Sequence, residues 1–492
     1  MSRLWALALV AACSVAFHVK GLSAPPLDYH FHRQVNTAAI ARNYYEHGRH
    51  FFYPQVDWEG PGSGRAATEF PLYMWLMGVL WPIFGLGAVW GRVLSVDFSA
   101  LGAVYLYLFL ERKLSPREAL ASTLLYCAIP VQVYFGRTIQ PEGLAMAASM
   151  AALYHWDRFL DEASDLHWAL AIVAAFLAVA HKLPYIYLLL VLAAMAYLKR
   201  GWAAFKEHAV LVAPVLCCAA VYSWYRYASS GVYVVPAHAS EFFEMLEYGK
   251  LLYYVQFQFV SRLPELCATW PGMALALAGA AWLWRRGQKL FFWWWGAVAA
   301  HLVAGGGYSF HHEYTALPFA PVMAAFMGTG LIGAWDRAKA SARPAAAQAA
   351  LAAVVLAIPV TGYFRIKHWY NQNFPFLAGA ARAADAVSGP YDLFVTNQRA
   401  SSVYLYYMHR RGWSWNLGET GQAGLDWIPE KAKQGARFYM TAAADLTPEM
   451  RAWIEARYPR VYDADGISIY RIDGQVPAVD LLGLGARPRA RR

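Results

Sequence analysis

The sequence predicts a polytopic α-helical membrane protein, of about eleven transmembrane helices, followed by a small C-terminal α/β domain. Three observations predict it. The 492 residues are 59% hydrophobic and only 15% charged, against about a quarter charged in a soluble protein. The apolar residues gather into runs of about twenty, the length a helix needs to cross a bilayer. The 21 Trp and 32 Tyr match the aromatic enrichment of membrane–water boundaries. The net charge of +10 is no nucleic-acid signal, because much of it lies in short connectors such as Glu111-Arg112-Lys113, Lys199-Arg200 and Arg285-Arg286. Neither a disulfide framework nor a zinc site is indicated, since the five cysteines lie in or beside apolar runs without CxxC or Cys/His spacing.

Candidate spans run near 4–22, 88–110, 118–136, 142–160, 167–181, 183–198, 208–225, 266–284, 289–305, 316–335 and 346–364. The first is read as an uncleaved span, because Pro25-Pro26 follows Ser23-Ala24 and makes a poor cleavage site. Basic residues recur at every second connector: Arg3, Arg112/Lys113/Arg117, Arg158, Lys199/Arg200/Lys206, Arg285/Arg286/Lys289 and Arg337/Lys339/Arg343. The positive-inside rule makes those connectors cytoplasmic. Segments 23–87, 137–141, His181-Lys182, 226–265 and 306–315 then face outward. The N-terminus is cytoplasmic and the C-terminal domain extracytoplasmic, as expected in a bacterial inner (plasma) membrane. The apolar stretch Phe70–Gly87 breaks this alternation if counted as a span. Pro71, Pro82, Tyr73, Trp75 and Trp81 fit a helix lying in the interface instead.

After Phe364 the pattern changes. Tyr391–Asn397, Ala436–Thr441 and Gly466–Asp473 are strand-like, and Leu446–Tyr458 has helical spacing. The expected organisation is a membrane domain over 1–366, with the first extracytoplasmic loop at 23–87, then an α/β domain over 367–485 and a basic tail over 486–492.

The outward segments carry the chemistry-bearing residues. The first loop reads Leu27-Asp28-Tyr29-His30-Phe31-His32-Arg33-Gln34 and later Glu69-Phe70-Pro71. A long loop with its own aromatic packing residues is more often functional than idle. Asp28, Glu69 and Glu142 are the candidate carboxylates. The basic residues Arg33, Arg42, Arg137 and Lys182 fall on the same outward side. Each has a plainer reading: a solvated loop carboxylate, an ion pair at a helix N-terminus for Glu142, a snorkelling lysine for Lys182. The segment Tyr308-Ser309-Phe310-His311-His312-Glu313-Tyr314 suggests substrate contact more than metal binding, because adjacent histidines rarely point at one ion. There is no GxxxxGK[ST], GxGxxG after a strand, GxSxG or HExxH. The chain therefore offers no nucleotide site.

These segments carry a family resemblance. Thr37-Ala38-Ala39-Ile40-Ala41-Arg42 with Glu46-His47-Gly48, Glu69-Phe70-Pro71-Leu72-Tyr73-Met74-Trp75-Leu76 and Gly91-Arg92-Val93-Leu94-Ser95 occur in family order. So do Pro141-Glu142, His312-Glu313-Tyr314-Thr315-Ala316-Leu317-Pro318 and Leu405-Tyr406-Tyr407-Met408-His409-Arg410-Arg411-Gly412-Trp413. Together they resemble bacterial membrane glycosyltransferases of the GT-C superfamily, in the branch of protein O-mannosyltransferases and aminoarabinose–lipid A transferases. One departure stands out: the acidic pair of the aminoarabinose type falls on Arg33-Gln34, and the nearest carboxylate is Asp28.

The resemblance implies a polyprenyl-phosphate-linked sugar donor, an acceptor that is an envelope glycan, lipid or protein, and inverting transfer at the extracytoplasmic face. Asp28, Glu69 and Glu142 are then the catalytic candidates, with Asp28 favoured as general base. His30, His32, Arg33, Arg137, Lys182, His312, Glu313 and Tyr314 are the substrate-binding candidates. Some members use a divalent cation such as Mg²⁺ or Mn²⁺ and others do not, and the residues leave that open. The alternative readings are a transporter or flippase, or a polymerase or ligase, of lipid-linked saccharides. The chain lacks the repeated halves common in transporters.

Overall fold

The computed structural model describes residues 2–230, 249–397, 402–414 and 422–472. The chain folds as two compact units. The first holds 2–23, 92–226 and 249–370, and the second holds 24–91, 227–230, 371–397, 402–414 and 422–472.

The eleven predicted stretches are helical over most of their length, with breaks at Ile129 and Thr269, and the structure does not bear out eleven as a count of spans. Four helices are long and apolar enough to cross a membrane: Ala88–Glu111, Leu183–Lys206, His208–Ala228 and Pro344–Tyr370. A bent pair, Leu251–Ala268 with Trp270–Arg285, would make a fifth. The other stretches fall short in length or apolarity. The 118–136 stretch is broken at Ile129, where Pro130 forces extended backbone between Pro116–Ala128 and Pro130–Phe135. The Glu142–Glu162 helix carries Asp157, Arg158 and Asp161 in its last turns.

The predicted outward connector 226–265 is helical over its last part. Leu251–Gln256 runs into a π-helix, Phe257–Ala268, and a 100° bend separates it from Trp270–Arg285. Pro264 lacks the N–H that ordinary helical bonding needs, and wide π winding accommodates it. Thr269 turns the corner at φ 63 and accepts a hydrogen bond from the Gly272 N–H. Beyond the bend, Trp270–Arg285 and Phe319–Lys339 press backbone to backbone. A Cβ on Gly279 would lie 1.8 Å from the Phe326 carbonyl oxygen, and one on Gly330 would lie 2.0 Å from that of Leu275. Only glycine permits that approach.

Ion pairs tie one end of this helical unit together. The wholly buried Asp157 accepts from Arg112 and Lys199 at 2.7 Å and from Lys113. Asp161 also pairs with Arg112 and Lys199. The basic connectors used for orientation are thus also bundle-end clamps.

The second unit joins the first loop to the distal residues. Its sheet has strands β1 (Leu393–Thr396), β2 (Gly412–Ser414), β3 (Ala436–Ala442), β4 (Arg460–Ala464) and β5 (Ile467–Arg471), in the order β2-β1-β3-β5-β4. The β2-β1-β3 part is parallel, crossed over by the helices Val403–Met408 and Gln422–Lys433. β3, β5 and β4 run antiparallel. Asp465 (φ 54) and Gly466 (φ 77) close the β4–β5 hairpin, the conformation a two-residue turn of this twist demands. β2 and β4 are additional to the predicted strands, and the basic tail lies outside the described residues.

Leu27 and Val35 from the first loop enter one core with Leu377, Phe394, Val403 and Phe438. The segment after Val56 covers the β2 edge, with Gly412 N–H donating to the Asp57 carbonyl at 3.0 Å and Gly60 N–H to that of Gly412 at 2.7 Å. An open strand edge is a liability that such a cover removes.

Candidate functional site

Each unit gathers part of the predicted set. In the second unit, Asp28 sits in the turn before the helix Phe31–His47, only 1% exposed. Gln34 Nε2 donates to Asp28 Oδ1 at 2.5 Å and to the Tyr29 carbonyl at 2.9 Å, so an amide in the first turn of the helix, six residues on, holds the carboxylate. His30 occupies the left-handed region at φ 58 and opens the helix, its ring edge-on to Tyr29. His32 packs its ring against Phe31 at 4.1 Å. Arg33 forms an ion pair with Glu69, which also accepts from the Thr68 hydroxyl at 2.9 Å. The two residues standing where the aminoarabinose type has its acidic pair are thus the direct partners of Glu69 and Asp28.

Two segments of this unit, around Arg42 and around Tyr406, also bind each other. Arg42 donates to Asp57 and to the Tyr406 carbonyl, both at 2.7 Å, and lies over the Tyr406 ring. Asn43 holds the second oxygen of Asp57 at 2.9 Å. Asn36 Oδ1 accepts from the Ser402 N–H at 2.8 Å, and His409 Nε2 meets Glu46 Oε1 at 2.5 Å. Arg42 is therefore a clasp between the loop helix and the 403–413 segment.

Burial alone would raise the Glu46 carboxyl, but the His409 hydrogen bond and the Arg42 charge outweigh it and hold Glu46 below the ordinary carboxylate value. A depressed carboxyl contributes stability above its unfolded value of about 4.3, and the contribution is lost as pH falls through the folded value. Glu46→Gln should therefore lower the melting temperature at pH 7, with the gap to wild type closing below about pH 4. Thermal denaturation of both proteins from neutral pH down to well below about pH 4 checks this; a gap that does not close on acidification would contradict it.

In the first unit, Glu142 opens the helix Glu142–Glu162 and is 1% exposed. Lys182 Nζ lies 2.6 Å from its Oε1 and 4.9 Å from the centre of the Tyr314 ring. Lys182 is presented in extended backbone, in the break between Asp165–His181 and the turn starting at Leu183. Two buried charges pair here within a mostly apolar bundle. The Tyr314 hydroxyl meets that of Tyr308 at 2.7 Å, and the His312 ring stacks on Tyr314 at 5.1 Å. Arg137 is wholly buried. Its guanidinium donates to the Gly21 carbonyl at 3.3 Å and lies over the Tyr370 and Tyr134 rings at 4.4 and 4.9 Å.

Arg262 was not among the sequence candidates, yet it is 4% exposed and faces Glu313 at 3.8 Å. It donates to the carbonyls of Ser309 and Phe310, the latter at 2.6 Å, and to Gln258 Oε1 at 3.2 Å. It therefore fixes the backbone that presents His312, Glu313 and Tyr314. Its signal in the sequence is the basic residue of Phe259-Val260-Ser261-Arg262-Leu263-Pro264, inside a stretch read as a connector.

Among the described residues no group of three or more His, Cys, Asp or Glu side chains is placed to hold a metal ion. Asp28 and Glu69 take Gln34 and Arg33 as partners, and Glu142 takes Lys182. This donor set does not fit a dedicated divalent-ion site.

Residues 67–225 match the family described as dolichyl-phosphate-mannose-protein mannosyltransferase. A comparison with curated protein sequences gave no significant match. Among solved structures, ArnT from Cupriavidus metallidurans bound to undecaprenyl phosphate aligns with a TM-score of 0.64 at 14% identity, over 99% of this chain and 100% of that one. The Archaeoglobus fulgidus oligosaccharyltransferase in the apo form aligns at 0.62 and 11% identity, over 89% and 69%. The same organism's oligosaccharyltransferase AglB, in complex with an inhibitory peptide and a dolichol-phosphate, aligns at 0.58 and 12%, over 96% and 75%.

Proposed function

We propose that this chain, whose fold is that of the GT-C glycosyltransferases, moves a sugar from a polyprenyl-phosphate-linked donor to an envelope acceptor. Transfer takes place at the extracytoplasmic face and inverts the anomeric centre. The observation that carries this reading is the pair of buried cations, Lys182 and Arg137, in a chain aligned over nearly its whole length with a protein bound to undecaprenyl phosphate. Ionisable residues buried within a membrane protein often mark substrate paths.

In the reaction the acceptor oxygen or nitrogen attacks the anomeric carbon as the bond to the phosphate oxygen breaks. Asp28 takes the acceptor proton. Gln34 donates to Asp28 Oδ1 and orients that carboxylate, the positioning a general base needs. Lys182 and Arg137 stabilise the charge gathering on the leaving phosphate. Arg33 and Glu69, with His30 and His32, order the first loop around the acceptor. Arg262, through Glu313 and the 309–310 carbonyls, positions His312 and Tyr314 against the sugar.

Eleven crossings with the N-terminus inside put residues 24–91 and the sheet on the outer side of a bacterial plasma membrane. Reporter fusions at Asn373 and Gln288 should report opposite compartments, with Asn373 outside. Mass spectrometry of envelope glycans, lipids and proteins from cells with and without the gene should reveal one lost sugar substituent. Matching compartments for the two fusions, or unchanged envelope chemistry, would overturn the reading.

A further inference from the structure

The first unit contains an apolar cavity of about 230 Å³ between the helices Glu142–Glu162, Asp165–His181, Tyr187–Arg200 and His208–Ala228. Trp156, Ala175, Leu192, Ala193, Leu211 and Cys217 are among its walls. The Trp156 indole N–H donates to the Leu192 carbonyl at 2.9 Å, so the ring offers the cavity only carbon. A cavity this apolar stays dry although it exceeds the volume of several waters. It also reaches the surface. Leu211 in its wall is 47% exposed, and the neighbours Val173 and Leu190 are more exposed still. Two of the enclosing helices belong to the stretches long and apolar enough to cross a membrane.

Position separates this cavity from the Glu142–Lys182 pair. Trp156 follows Glu142 by fourteen residues of one continuous helix, about 21 Å along its axis. The cavity lies toward the basic end of the bundle. Phe205 lines it, the next residue Lys206 is exposed, and Trp202 is 75% exposed. Trp168 donates from its indole to the Ala209 carbonyl at 2.9 Å. Tryptophans and a lysine beside an apolar slot are what a phospholipid meets at the headgroup level.

We infer that this cavity is a binding site for an anionic glycerophospholipid of the cytoplasmic leaflet. One acyl chain fills the slot walled by Ala175, Ala193 and Leu211, and the phosphate lies at Lys206. The inference rests on reading these helices as membrane spans and not on the transfer reaction. The lipid would replace missing side-chain packing between four helices, and its charge would select it over a zwitterionic lipid.

The test uses the full chain in nanodiscs of phosphatidylcholine doped with phosphatidylglycerol that carries a photoactivatable diazirine on one acyl chain. Label should concentrate on peptides spanning 171–175, 189–193 and 210–217. Ala193→Trp, which fills the slot, should cut that labelling at least tenfold. Lys206→Gln should reduce the preference for phosphatidylglycerol over an equally labelled phosphatidylcholine about fivefold, the effect of one basic residue near an anionic surface. Each variant is read only as a monodisperse gel-filtration peak, with Ala193→Leu in parallel as the milder filling. Labelling unchanged in both filled variants, or no preference for the anionic lipid, would overturn the proposal. So would displacement of the label by stoichiometric undecaprenyl phosphate, which would assign the slot to the donor chain.

Discussion

Asp28→Asn should lower transfer by about 10²–10⁴-fold, the range of a lost general base, while the protein inserts and folds as before. The amide has the size of the carboxylate, and its oxygen still accepts the Gln34 hydrogen bond that the structure places at 2.5 Å. What it loses is the ability to take the acceptor proton. Single-turnover measurements with saturating donor would place the loss in the chemical step, with donor affinity unchanged. Gln34→Ala should fall in the same direction but less far, since it removes the orientation of the carboxylate and not the group. Near-normal turnover by Asp28→Asn would move the base to Glu69.

The second large effect concerns Lys182. Its ammonium is paired with Glu142 at 2.6 Å, with both side chains almost wholly buried. Removing one member of such a pair leaves an uncompensated buried charge and costs about 3–5 kcal/mol. Lys182→Ala should therefore destabilise the helical unit and abolish donor use together, which alone would not separate structure from function. Lys182→Met with Glu142→Gln removes both charges and keeps the volume, so its melting temperature should return close to wild type. Donor use should stay low, because Arg137 alone remains to meet the phosphate. Lys182→Arg should keep part of the activity through its charge, with altered geometry. A double variant that regains both stability and donor use would make Lys182 purely structural.

The apolar helices were legible in the sequence because a bilayer demands runs of about twenty apolar residues, and the predicted runs are mostly helical, apart from the breaks at Ile129 and Thr269. Three distal strands were legible for a similar reason: Leu393–Thr396 and the runs beginning at Ala436 and Ile467 concentrate the apolar and β-branched residues that pack a buried sheet. The exposed strand Arg460–Ala464 lacks that signature, and its one local sign is the Asp465-Gly466 turn. Three-residue β2 pairs with β1 on one side and on the other exchanges backbone hydrogen bonds with Asp57 and Gly60, some 350 positions earlier, which no local pattern encodes. The bend at Thr269 was hidden because hydropathy averages over Arg262 and Pro264 rather than reading their geometry.

At the candidate site the residue types were legible and the partnerships were not. Arg33 and Gln34 looked like a departure from an acidic pair, and the structure makes them the partners of Glu69 and Asp28. Arg42 and His409 lie in segments far apart in sequence whose shared purpose emerges only when the helix Phe31–His47 is seen clasped to residues 403–413. Arg262 was passed over because a charge in a presumed connector invites no explanation, whereas one at 4% exposure requires partners.

The central claim is that the activated sugar arrives on a membrane lipid. Purified protein in liposomes would be offered radiolabelled sugar either as a nucleotide sugar or as a polyprenyl-phosphate conjugate, with a panel of glycan, lipid and protein acceptors and with or without chelator. Transfer should occur only from the lipid-linked donor and should survive chelation, because Arg33 and Lys182 occupy the carboxylates Glu69 and Glu142. Transfer from a nucleotide sugar in the absence of lipid-linked donor would contradict the account.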